Sequence, residues 1–194
     1  MGVLIGYVDK GKVIMATDTR TIIDDRKYNE TCECNYKVQK CDNGILVGIV
    51  DNRNLRQLVL SNREIFTLNK NGKLTKEHIV TEIVPKLYSL LKENDLITYY
   101  DDKPPIMRAT ILLAYKYSLF EICCCFEVCR YEKHQAVGYY SDMALAKVID
   151  VDTNRNIDEQ LVKALKNCSE FTEYVASPFI TIDTESLKYK VWEE

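Results

Sequence analysis

The chain has 194 residues, 46% of them hydrophobic and 28% charged, with a formal net charge of −3; this is the make-up of one soluble globular domain over residues 1–194 with material for a substantial core. No basic block is present, which argues against nucleic-acid binding. No apolar run approaches bilayer length and the start has no basic segment followed by a separate apolar one, so a cytoplasmic protein without membrane contact is expected.

Residues 3–8 and 13–17 are apolar runs rich in β-branched and aromatic side chains, and the polar Asp9-Lys10-Gly11 between them predicts a hairpin with glycine at its bend. A charged cluster, Asp18-Thr19-Arg20, stands where the second strand runs out and an active-site loop can begin. Residues 21–35 are polar, carry Asp24-Asp25 and a C-x-C, and predict an excursion or an irregular strand pair, with a solvated loop as the equal alternative. A second hairpin follows: residues 37–41 as one strand, Asp42-Asn43-Gly44 as a turn needing positive φ, and residues 45–50 as a continuous apolar strand.

After Asp51 the period changes from two to near 3.6. Leu55, Leu58, Val59, Asn62 and Phe66 share one side of a helix that Asn71-Gly72 closes. Thr75 caps a second helix with Ile79, Ile83, Leu87, Leu90 and Leu91 as its apolar stripe, and Pro85, which removes a backbone donor inside it, predicts a kink near Glu82.

Asp101-Asp102-Lys103-Pro104-Pro105 reads as a loop too short to link domains. Residues 109–115, 120–128 and 134–138 predict a three-stranded meander buried on both faces. Ser141 can cap a helix through Val148, and a further helix near Asp158 carries Leu161, Leu165, Cys168 and Thr172 on one side. Residues 175–183 and 186–192 close the chain as a hairpin around Asp183-Thr184-Glu185.

There are eight cysteines. Cys32 and Cys34 form a C-x-C, and Cys123-Cys124-Cys125 and Cys129 fall on what reads as one strand, where neighbouring side chains face opposite ways and cannot share a ligand. Paired C-x-x-C spacing is absent. Reduced thiols serving as small core hydrophobes in a reducing compartment are expected, with no metal and no cofactor. A cysteine-based zinc module is the alternative that the C-x-C leaves open.

The order of these features resembles a family. An apolar strand near the start, a glycine turn, a strand ending Ala16-x-Asp18-x-Arg20, Lys37-Val38 opening a hairpin and an apolar strand before a helix are similar to the β-type subunits of proteasomes and the peptidase subunit of the bacterial two-component ATP-dependent protease. The resemblance is strongest over the first third and implies an α+β fold, the four-layer α-β-β-α sandwich of the N-terminal-nucleophile (Ntn) hydrolases with two mainly antiparallel sheets. It also implies rings of like subunits. In that family an amino-terminal threonine attacks an amide carbonyl with its own α-amine as base, a lysine lowers the nucleophile's pKa and an aspartate holds the lysine. By register the resemblance puts Asp18 at the aspartate, Lys37 at the lysine and Gly2 at the threonine.

Glycine brings no hydroxyl or thiol, whether or not Met1 is removed, and no propeptide is expected ahead of it. Thr17 and Thr19 belong to the strand end and loop. The glycine whose N–H assists the oxyanion in the family is missing after Gly48-Ile49-Val50, where Asp51 follows. A small serine-glycine pair is replaced by Tyr139-Tyr140 after Ala136-Val137-Gly138. Ser169-Glu170 stands where an aspartate and a serine support the site. A catalytically inactive relative that assembles or binds a peptide or protein partner is expected, against an amide hydrolase using an unusual nucleophile beside Asp18 and Lys37.

Overall fold

A computed structural model describes residues 2–23, 26–101 and 103–193. The chain enters as β1 (Val3–Asp9), turns at Lys10 and Gly11, both at positive φ (41° and 96°), and returns as β2 (Lys12–Asp18). Two left-handed residues in succession give a two-residue loop the twist that paired strands need. β3 (Arg20–Ile23) and β4 (Arg26–Asn29) pair with each other apart from the main sheets, which is the strand-pair form of the polar excursion. Met1, Asp24, Asp25 and Asp102, on which readings above also fell, lie outside the described residues.

β5 (Val38–Lys40) and β6 (Leu46–Asp51) form the second hairpin, with Gly44 at φ 85°. Helix α1 (Arg53–Ser61) is capped by Asn52, whose side-chain oxygen accepts from Leu55 N at 3.1 Å, a contribution of about 1 kcal/mol. The helix ends at Ser61 and does not run on to Asn71-Gly72, because the Asn62 side chain donates to the Leu58 carbonyl at 2.8 Å and its backbone leaves helical geometry. Thr75 does cap the next helical run, accepting from His78 N at 3.2 Å. That run is α2 (Lys76–His78), a π-helical turn (Ile79–Ile83) and α3 (Val84–Glu93). The widened turn lies directly ahead of Pro85, which has no N–H for the carbonyl one turn back, so the expected kink takes the form of a π segment.

A short hairpin, β7 (Ile97–Thr98) and β8 (Ile106–Met107), leads into β9 (Ala109–Tyr115), β10 (Ser118–Ile122), β11 (Val128–Tyr131) and β12 (His134–Gly138). Two expectations fail here. Residues 120–128 are not one strand: Cys123 N donates to Glu127 O and Phe126 N to Cys123 O, with Phe126 at φ 66°, so the cysteine triple forms a tight turn. Nor do residues 134–138 belong to the meander: β9, β10 and β11 form it by themselves, while β12 leaves their sheet and pairs with β1. Helices α4 (Ser141–Val148) and α5 (Ile157–Ser169) follow, then β13 (Phe179–Asp183) and β14 (Lys190–Trp192). Ser141 is the first helical residue and caps nothing; the cap position is Tyr140, at φ 69° and with no side-chain cap bond. Thr172 lies past the end of α5, and the strand after it starts at Phe179 instead of Val175.

Among the described residues the strands form two five-stranded antiparallel sheets, β12-β1-β2-β13-β14 and β11-β10-β9-β6-β5, plus the two small hairpins. Apolar side chains on the central strands alternate between two buried surroundings. On β1, Val3, Ile5 and Tyr7 pack under α4 and α5 with Leu161 and Leu165, while Leu4 faces the other sheet. On β6 and β9, Val47, Ile49, Ile111 and Leu113 pack under α1 and α3, while Leu46, Val50 and Leu112 face inward. Three apolar layers between four layers of structure make the α-β-β-α sandwich. Gly6 and Gly48 set how closely the sheets approach: a Cβ on Gly6 would stand 2.7 Å from a Leu119 methyl, and one on Gly48 would collide with Leu4. Each sheet therefore receives a leucine from the other.

Candidate functional site

The start of β1, the end of β2 and the approach to β5 converge at one buried point. Asp18, last residue of β2, is fully buried. Its Oδ1 accepts from Val3 N at 2.9 Å and its Oδ2 from Arg20 N at 3.0 Å. Lys37, 1% exposed, reaches across from the other sheet to place Nζ 2.5 Å from Asp18 Oδ2. Its own carbonyl accepts from Ile49 N at 2.8 Å, which ties it to β6. Burial pushes the Lys37 ammonium below its ordinary pKa, against the pull of Asp18, and Arg56 adds to the depression.

Gly2 abuts this pair. Its φ is 122°, and a Cβ built there would overlap Lys37 Nζ and stand 2.8 Å from Asp18 Oδ1 and 2.9 Å from Lys37 Cε. The lysine thus fills the volume that a side chain at this position would need. Gly2 O accepts from Tyr139 N at 2.9 Å, and Gly138, at φ 99°, has no room for a Cβ against that same carbonyl. Gly2, Asp18 and Lys37 are therefore adjacent. The nearby hydroxyl of Thr17 donates to Val3 O at 2.8 Å, while that of Thr19 is buried without a partner among the described residues.

Asp51 ends β6 at φ 84°, a backbone conformation that suits glycine. Partial enclosure pushes its carboxyl pKa up while Lys37 pulls it down. Tyr139 and Tyr140 meet edge to face with ring centres 4.9 Å apart, and Tyr139 meets Tyr174 at 5.4 Å, so an aromatic cluster stands where the resemblance implied small residues. The Ser169 hydroxyl donates to Lys166 O at 2.7 Å, and neither Ser169 nor Glu170 bonds to Gly2, Asp18 or Lys37 among the described residues.

Beside the buried centre a cleft of about 530 Å³ runs between β3 and the opening turn of α1. Arg20, Arg53, Arg56 and Arg108 line it together with Thr21, Asn52 and Tyr174. Arg20 belongs to the charged cluster already noted at the end of β2; Arg53, Arg56 and Arg108 went unremarked in the sequence, although Arg53 and Arg56, three apart at the start of a helix, carried a signal in their spacing. A smaller group sits in the β10–β11 turn, where Cys123, Cys125 and Glu127 bring their ligand atoms within 4.8 Å of one another and the two Sγ atoms are 3.0 Å apart. Being on a turn, these thiols are not bound by the facing argument made for a strand. Cys32, Cys34, Cys124 and Cys129 are exposed and only Cys41 and Cys168 are buried, so the thiols are not mainly core hydrophobes.

A double antiparallel sandwich between helical layers, with the first strand beginning against a buried lysine and aspartate, defines a proteasome-like Ntn-hydrolase fold. No protein-family model matches the sequence and no curated protein matches it. Solved structures do match the fold. BPH of Thiobacillus denitrificans has a TM-score of 0.74 at 17% identity, covering 96% of this chain and 98% of that chain. Anbu, the ancestral beta-subunit, from Yersinia bercovieri has a TM-score of 0.73 at 11% identity, covering 99% of this chain and 87% of that one. The Anbu (Gly-1) mutant from Hyphomicrobium sp. strain MC1 has a TM-score of 0.71 at 10% identity, covering 100% and 88%. The chain has this fold in a form highly diverged in sequence.

Proposed function

We propose that this protein keeps the Ntn-hydrolase architecture without its hydrolysis, and acts by assembly or by binding a peptide or protein partner. The observation that carries the reading is Gly2, which supplies neither hydroxyl nor thiol and whose side-chain volume is filled by Lys37. An attack on an amide needs both a nucleophilic atom and room for a tetrahedral centre beside it. Asp51 adds a carboxylate where a developing oxyanion would need donors. One domain over residues 1–194, a ring-like homo-oligomer and a cytoplasmic location belong to this proposal. Among the described residues no helix is long and apolar enough to cross a membrane.

A second reading, an amide hydrolase with an unusual nucleophile, draws on Lys37: a lysine whose ammonium is destabilised by burial is the type that serves as base or nucleophile. Intact-mass analysis of the native amino terminus and a fluorogenic peptide panel separate the two. No turnover above the Lys37→Ala background is expected, and no mass adduct with epoxomicin, the compound held in a solved BPH complex. Turnover that Lys37→Ala abolishes would establish the second reading instead.

A further inference from the structure

We propose that the cleft between β3 and the start of α1 binds a ligand carrying two or more oxyanions, either the clustered carboxylates of a peptide or a small polyanion. Four guanidinium groups, those of Arg20, Arg53, Arg56 and Arg108, line about 530 Å³ of space. The carboxylates that face them among the described residues are Asp51, on the cleft wall, and Glu30, which lies 3.7 Å from Arg53 and also acts on Arg56. Asp18 also acts on Arg56 and is offset by Lys37, so beyond that pair four guanidinium charges meet the carboxylates of Asp51 and Glu30. Arg20, Arg56 and Arg108 have no carboxylate within ion-pair distance among the described residues.

Arg108 is exposed and Arg53 partly so, but other donors are built into the wall. Arg56 is 6% exposed, and the Arg20 and Arg53 Nε atoms and the Thr21 hydroxyl are buried with no hydrogen-bond partner among the described residues. Burying guanidinium groups together without matching anions is unfavourable, and an oxyanion pair placed between them would supply the missing charge. The planar fork of arginine fits carboxylate and phosphate oxygens two at a time. Arg53 and Arg56 are positioned by the first turns of α1, whose N-terminus borders the same space and favours negative charge. The volume is that of a small-molecule site rather than of a single ion. This inference rests on the reading that the cleft serves binding, and it names what is bound.

The test is titration calorimetry of the intact protein with inorganic pyrophosphate and with a tetraglutamate peptide, each at low and at physiological salt. Wild type, Arg108→Glu and the control Lys163→Glu are compared; both positions are exposed. Binding that weakens roughly tenfold in Arg108→Glu, changes little in Lys163→Glu and falls with salt is expected. If both probes bind, or only one, the site stands and the probe tells the source of its oxyanions. If neither binds, or the two charge reversals act alike, the proposal is overturned. Cleavage of the tetraglutamate peptide by wild type would refute the non-hydrolytic reading while leaving the anion site in place.

Discussion

Replacing Lys37 by methionine removes the ammonium but keeps the length and most of the volume of the side chain. Asp18 would then remain in a fully buried position without the cation 2.5 Å away. Breaking a buried ion pair by deleting one partner costs about 3–5 kcal/mol. Here Asp18 keeps two backbone donors, Val3 N at 2.9 Å and Arg20 N at 3.0 Å, and the desolvation of the lysine is relieved. The expected loss is therefore about 2–4 kcal/mol, with part restored in the Lys37→Met, Asp18→Asn double variant. With a urea slope of about 3 kcal/mol per M, the midpoint falls by about 1 M. Urea unfolding followed by circular dichroism at pH 7 reads it directly. A Lys37→Met protein within about 0.5 kcal/mol of wild type would refute the reasoning, for the pair would then not be holding the two sheets, and a functional role for Lys37 would gain weight.

Asp51 sits at φ 84°, so Asp51→Gly should be more stable than Asp51→Ala by about 1 kcal/mol, both having lost the same carboxylate; equal thermal midpoints would contradict this. Desolvation acts to raise the Asp183 carboxyl, but hydrogen bonds from Ser186 and from Glu185 N outweigh it and hold the pKa below the ordinary value. A depressed folded pKa gives stability that is present above about pH 4 and is lost as pH falls through the folded value. Wild type should therefore lead Asp183→Asn at pH 6 and converge on it in strong acid, and a gap that stays constant with pH would exclude the carboxylate as its source. Burial pushes Cys41 up to about 12 and Cys168 up to about 11, whereas the neighbouring Cys34 thiol, by hydrogen bonding, lowers exposed Cys32. Alkylation at pH 8 mapped by mass spectrometry should label Cys32 early and spare Cys41 and Cys168 until unfolding; early labelling of Cys41 would count against the packing described.

Where local chemistry decides a structure, the sequence carried it. Gly11 and Gly44 are turn residues whose positive φ is visible in their identity, and the hairpins around them fall where expected. Where partners distant in sequence decide, it did not. Whether β12 continues a meander or crosses to β1 depends on which sheet offers a free edge, and no pattern within residues 134–138 encodes that. The cysteine triple read as a strand because Cys and Phe are apolar, yet Phe126 takes a left-handed turn that its identity gives no hint of. The proximity of Gly2, Asp18 and Lys37 was legible only through family resemblance, since one contact spans 19 residues and two different sheets. The arginine cleft was legible only at Arg20, which stood in the charged cluster at the end of β2; its companions are scattered as far as 108 and each alone resembles an ordinary surface cation.

The interlock of Leu119 over Gly6 and Leu4 over Gly48 has a mechanical corollary. Asp18 rides on one sheet and Lys37 on the other, so their contact is a stitch whose length is governed by sliding of one slab past its mate. Two leucine pegs seated in opposite directions resist that sliding. Shortening either peg to alanine would loosen the register between slabs, and the buried charges, though far along the chain from the cut, would be the first to feel the slack.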